Sequence, residues 1–117
     1  MRDRDIATAE RYGILGRIKS IEADLKQITF VEDVEFDLDG FYDNLDTVII
    51  LVKYDIPLAS ETYFKDRRTL LASVVEQAKE HGLKRTIDRI EDYGAHFYFV
   101  FEIADKEKFY GDRKEKK

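Results

Sequence analysis

Two short segments, TVIILVKYDI (Thr47–Ile56) and HFYFVFEIA (His96–Ala104), constrain the fold more than any other part of this sequence. In an extended chain successive side chains point to opposite faces. Val48, Ile50, Val52, Tyr54 and Ile56 then share one face, with Ile49 and Leu51 on the other. In the second segment Phe97, Phe99, Phe101 and Ile103 share a face, with Tyr98 and Val100 opposite. β-branched and aromatic residues of this kind favour a pleated backbone. A strand apolar on both faces belongs inside a sheet, so these two are expected at its centre.

The flanking segments show the complementary pattern. In Phe30–Leu38, Val34, Phe36 and Leu38 alternate with Glu35 and Asp37, which predicts a strand with one wet face. Leu83–Asp92 is a more polar candidate strand, followed by a Tyr93-Gly94-Ala95 turn. Both carry charge, which guards an edge against stray pairing, so both are expected at the rims. Ile14, Ile18, Ile21, Leu25 and Ile28 recur at steps of four and three, predicting one helix from Asp5 to Gln27. Gly13 and Gly16 would each weaken it by ~1 kcal/mol relative to Ala.

Pro57 stops the first central strand, and Ser60 is placed to cap a second helix, with Glu61 favourable at its positive end. Phe64, Leu70, Leu71, Val74, Val75 and Ala78 give that helix a broad apolar stripe, and Gly82 stands where a helix commonly ends. The order is α-β-β-α-β-β. We read it as a two-layer α+β sandwich: two hairpins joined by a right-handed helical crossover, the central strands parallel in an otherwise antiparallel four-stranded sheet. The layout resembles a circularly permuted ferredoxin-like fold. That resemblance is architectural and implies no function. Residues 1–110 are expected to form one domain, with 111–117 a charged flexible tail.

Charge excludes one class of partner. The net charge is −5, and no Lys or Arg occurs between Gln27 and Val52, where seven acids fall. Phosphate backbones need clustered cations, so direct nucleic-acid binding is not expected. Lys65, Arg67 and Arg68, with Lys84, Arg85 and Arg89, form the main basic grouping. Asp66, Asp88, Glu91 and Asp92 interrupt it, so it reads as a mixed surface. The absence of cysteine excludes disulfides and thiolate metal sites and suits a cytoplasmic location. The longest purely apolar run, Val48–Val52, has five residues, far short of the ~20 a membrane helix needs. No membrane association and no cofactor are expected.

The stretch EFDLDGFYDNLD (Glu35–Asp46) holds five carboxylates and no base. Its foremost reading is a solvated hairpin connection, with Asp, Gly and Asn in turn roles. A second is an acidic docking surface for a basic partner, formed by Asp37, Asp39, Phe41, Tyr42, Asp43 and Asp46. A third is a calcium loop. Glu35, Asp37, Asp39, Asp43 and Asp46 match its ligand spacing, and Gly40 takes its bend position. Against it, Glu opens the loop where Asp is usual, Asp closes it where the longer Glu is usual, and strands flank it.

Catalytic groups are scarce. His81 is explained by the end of the second helix, and His96 by a strand start. Ser60 is assigned to a cap, Ser73 to a helix interior, and no glycine-rich phosphate loop occurs. No enzymatic activity is expected. The more telling feature is the sheet's second face. Helices on one side would cover Val48, Ile50, Val52 and the phenylalanines while leaving Ile49, Leu51, Tyr98 and Val100 open, unless the long first helix crosses over. Burying roughly 400 Å² there would contribute ~10 kcal/mol before association costs. The expectation is a self-associating adaptor, regulator or inhibitor. It dimerises through those four residues, or packs a protein partner there, and engages a basic surface with its acidic hairpin. A calcium-binding module is the alternative.

Overall fold

The computed structural model describes residues 2–38, 46–86, 91–92 and 96–111. Five strands form one antiparallel sheet: β1 (Val31–Asp37), β2 (Thr47–Tyr54), β3 (Leu83–Arg85), β4 (Glu91–Asp92) and β5 (His96–Ile103). The order is β1-β2-β5-β3, with β4 also paired to β5. Both doubly apolar strands are therefore internal, and the charged ones take the rims. Where the sequence reading had the central pair parallel, β2 and β5 run antiparallel, with Ile49 opposite Val100 and Leu51 opposite Tyr98. The connection from β2 leads first to β3 at the far rim. The chain then turns back and β5 fills the gap, which reverses its direction relative to β2. Of the expected fourth strand, Leu83–Asp92, the described residues give two short pieces, β3 and β4, and 87–90 lie outside the described residues.

The helices among the described residues are α1 (Asp3–Arg11), α2 (Leu15–Lys26), α3 (Tyr63–Glu80) and α4 (Lys106–Tyr110). The single helix expected from Asp5 to Gln27 is thus two. Gly13 has φ +70°, its N–H donates to the Glu10 carbonyl at 3.1 Å, and Ile14 N–H donates to the Ala9 carbonyl at 2.8 Å. Those bonds are the Schellman termination, in which a left-handed residue satisfies the last carbonyls of a helix. Ala9 and Ile14, the two residues it brings together, are both buried. The glycine read as a weak point inside a helix is a helix end.

One core holds the layers together. Ala9 from α1, Ile14 at the junction, Ile18, Ile21 and Leu25 from α2 and Leu70, Val74 and Ala78 from α3 pack with Val34, Phe36, Val48, Ile50, Val52, Phe97, Phe99 and Phe101. The phenylalanine row of β5 is continuous, with ring centroids 6.0 and then 5.6 Å apart, and Tyr54 stacks on Phe97 at 4.4 Å. Phe64 departs from its expected place in this core: it is 74 % exposed. At about 100° per residue, Tyr63 lies within about 20° of Leu70 around α3, whereas Phe64 lies about 120° away. Tyr63 accordingly packs against the core.

The start of α3 also differs. The helix begins at Tyr63 rather than after Ser60. Ser60 Oγ instead accepts from Thr62 N–H at 3.2 Å within a turn. At its other end, Gly82 follows the helix with φ +85°, as expected. A second constraint applies there, since a β-carbon on Gly82 would come 2.5 Å from the Asp105 carbonyl oxygen. Ala104 and Asp105 N–H both donate to the Gly82 carbonyl, at 2.9 and 3.1 Å. The chain after Ile103 therefore turns into α4, which Asp105 caps by accepting from Lys108 N–H at 3.1 Å. This helix is absent from the sequence reading, and it delivers a fully buried Phe109 to the core. Residues 112–117 of the expected tail, and the Tyr93–Ala95 turn, lie outside the described residues.

Candidate functional site

The candidate site is the face of the sheet opposite the described helices. Alternation along β2 and β5 puts Ile49, Leu51, Tyr98 and Val100 there, and all four are half-buried while their sequence neighbours are fully buried. The antiparallel register makes them a compact block of two cross-strand pairs. Directly opposed pairs of this type pack on one another across the strands. The buried apolar residues of the helices belong to the core on the other side, so α1 and α2 do not cross to this face. Polar and charged residues border the block. Glu35 pairs with Leu51 and Asp37 with Ile49 on the β1 side. Lys53 and His96 close one end, and Thr47 and Glu102 the other.

The β1 rim is strongly acidic, and part of that charge is neutralised locally. Arg2 Nη2 lies 3.2 Å from Asp37 Oδ1, and Arg2 Nε lies 2.8 Å from Asp5 Oδ2. Asp5 is a buried carboxylate. Its Oδ1 accepts from Leu38 N–H at 3.0 Å, tying α1 to the end of β1 where the acidic connection begins. Lys53 Nζ sits 3.1 Å from Glu32, and Lys26 Nζ 3.7 Å from Asp33. Such half-exposed pairs contribute little stability, ~0–1 kcal/mol each.

Of the acidic docking set, Asp37 and Asp46 are described. Asp37 is half-buried at the rim. Asp46 is exposed, and its carbonyl accepts from Ile103 N–H at 2.8 Å. Asp39, Phe41, Tyr42 and Asp43 lie outside the described residues. The calcium set divides in the same way, with Glu35, Asp37 and Asp46 described and Asp39 and Asp43 not. Among the described residues, no cluster of three or more His, Asp or Glu side chains could hold a metal ion.

His81 plays a larger part than its sequence position implies. It is 6 % exposed, with Nε2 2.6 Å from Asp24 Oδ2 and Nδ1 3.0 Å from Arg17 Nη1. A guanidinium offers no acceptor, so Nδ1 accepts and the ring proton sits on Nε2, donated to Asp24. Arg17 Nε also donates to the Phe109 carbonyl at 2.9 Å. One imidazole thus joins α2, α3 and, through Arg17, α4. Both ring nitrogens are occupied, which suits fastening better than proton transfer.

The basic grouping of the sequence reading is dispersed. Arg67 covers the Phe97 ring at 4.8 Å, Arg85 lies on β3, and Arg89 is outside the described residues. Folding assembles a different cationic group, with Lys79 and Lys108 on the walls of a groove between α3, β3 and α4. Lys79 and Lys108 come from two separate elements, so no local spacing could have joined them. No helix among the described residues is long and apolar enough to cross a membrane. Compared with known proteins, the chain matches no family model, no curated protein and no solved structure.

Proposed function

We propose that this protein is a non-catalytic, self-associating adaptor or regulator whose open sheet face packs against a second copy. The observation that carries the reading is the Ile49–Val100 and Leu51–Tyr98 block, half-buried on the face opposite the helices. A twofold axis crossing the strands at Ile50 and Phe99 would set Ile49 against the other copy's Leu51, and Tyr98 against its Val100. It would also bring the Lys53–His96 end of one face over the Glu102 end of the other. Stacked sheets pack aligned in this manner, about 30° apart.

Area decides the strength. Four strands at ~4.8 Å spacing and seven residues at ~3.3 Å rise give a face of roughly 19 by 23 Å. Two such faces bury on the order of 900 Å², short of the ~1,200 Å² of stable interfaces. The acidic β1 rims would also meet and repel. Both effects point to a reversible dimer of roughly micromolar affinity.

In this reading Asp37, Asp39, Phe41, Tyr42, Asp43 and Asp46 engage a basic partner surface. The layout is that of a circularly permuted ferredoxin-like sandwich, supported by the strand order β1-β2-β5-β3 with helices on one face. The cysteine-free composition fits work in the cytoplasm. The pairing is tested by mixing isotope-labelled and unlabelled protein and recording intermolecular NOEs. Contacts from Ile49 to Leu51 are expected between copies, and their absence at millimolar protein would refute the sheet pairing.

A further inference from the structure

The groove behind the β3 rim encloses about 380 Å³. Val75 contributes apolar surface beside the buried Leu83, and Lys79, Arg85 and Lys108 bring positive charge from α3, β3 and α4. The one acid of the lining is Asp105, whose Oδ1 accepts from Lys108 N–H at 3.1 Å. We infer that this groove binds a small amphipathic anion: an aryl or short acyl body carrying one carboxylate, sulfonate or phosphate group.

Three observations set that class. The volume falls at the lower end of small-molecule pockets, ~300–1,000 Å³, and is too small for a folded partner. Its walls are fixed in advance, because Gly82 accepts from both Ala104 and Asp105 N–H and leaves no room for a β-carbon. A preformed pocket avoids the ordering cost of binding. Finally, the side chains of Lys79, Arg85 and Lys108 line it beside one carboxylate in a chain whose net charge is −5. The overall field gives an anion no long-range attraction, so capture depends on short contacts: a charge-assisted bond at the rim and an apolar body on the floor. Three cations in a compact group are no track for a nucleic-acid backbone.

The probe is 8-anilinonaphthalene-1-sulfonate, an aryl body with one anionic group, titrated into the full chain and followed by fluorescence. One saturable site is expected, with amide shifts at Gly82, Leu83 and Ala104. The pair of charge reversals Lys79→Glu and Lys108→Glu should weaken it at least about tenfold. Leu51→Lys, on the other face, should leave it unchanged. Unaltered affinity in the charge-reversed variant would mean that those lysines serve only the C-terminal dipole of α3, and the site is refuted. Loss of binding in Leu51→Lys would place the dye on the sheet face and refute it equally. Should the charge-reversed chain fail to fold, the wild-type shifts decide: changes centred on Ile49 and Leu51 rather than Gly82 overturn the assignment.

Discussion

His81 shows how much one side chain can hold. It is buried at the end of α3, and its partners Asp24 and Arg17 belong to α2, with Arg17 extending the link to the Phe109 carbonyl of α4. Removing it leaves Asp24 and Arg17 facing a gap where both nitrogens had been paired. Hydrogen bonds to charged partners at such sites are worth ~1–3 kcal/mol, while Asp24 is half exposed and recovers some hydration. His81→Ala should therefore lower stability by about 1–3 kcal/mol, read as a smaller urea midpoint at unchanged slope. A histidine serving only as a surface cap would cost under about 0.5 kcal/mol. Nothing near His81 in sequence signals this role, since Asp24 and Arg17 lie 57 and 64 positions away.

At the scale of elements, the sharpest test concerns the junction of α1 and α2. In a continuous helix Gly13→Ala would stabilise the protein by about 1 kcal/mol. At φ +70° the same substitution forces an L-residue into the left-handed region, so the effect should reverse to a loss of about 1 kcal/mol. The sign of the shift in thermal midpoint separates the two cases. The strands were the legible part of this sequence, because alternation in Val31–Asp37, Thr47–Tyr54 and His96–Ile103 reports directly on which faces are buried. Glycine was ambiguous, since the same residue reads as a flaw within a helix or as its end. The relative direction of β2 and β5 was hidden, because it depends on the path through β3 rather than on local pattern. The short helix α4 escaped notice within a charged segment, although Asp105 as cap and Phe109 as its one buried anchor were both present.

For the whole molecule, the main consequence of the topology is an asymmetric sheet. One face carries a row of three phenylalanines under a helical layer, and the other carries a small apolar block within a charged border. The block was legible from sequence because two central strands apolar on both sides must present their second faces somewhere. The cationic groove was not, because three separate elements contribute to it. The sheet face and the groove lie on opposite sides of the sheet, so the proposed assembly and the proposed anion binding can be separated by mutation.

Sedimentation equilibrium over a range of protein concentrations tests the central claim most directly. The parent chain should pass from monomer to dimer in the micromolar range, and Leu51→Lys, which buries a charge at the proposed contact, should stay monomeric throughout. A parent that remains monomeric at millimolar concentration, or a Leu51→Lys variant that dimerises as the parent does, would contradict assembly through this face.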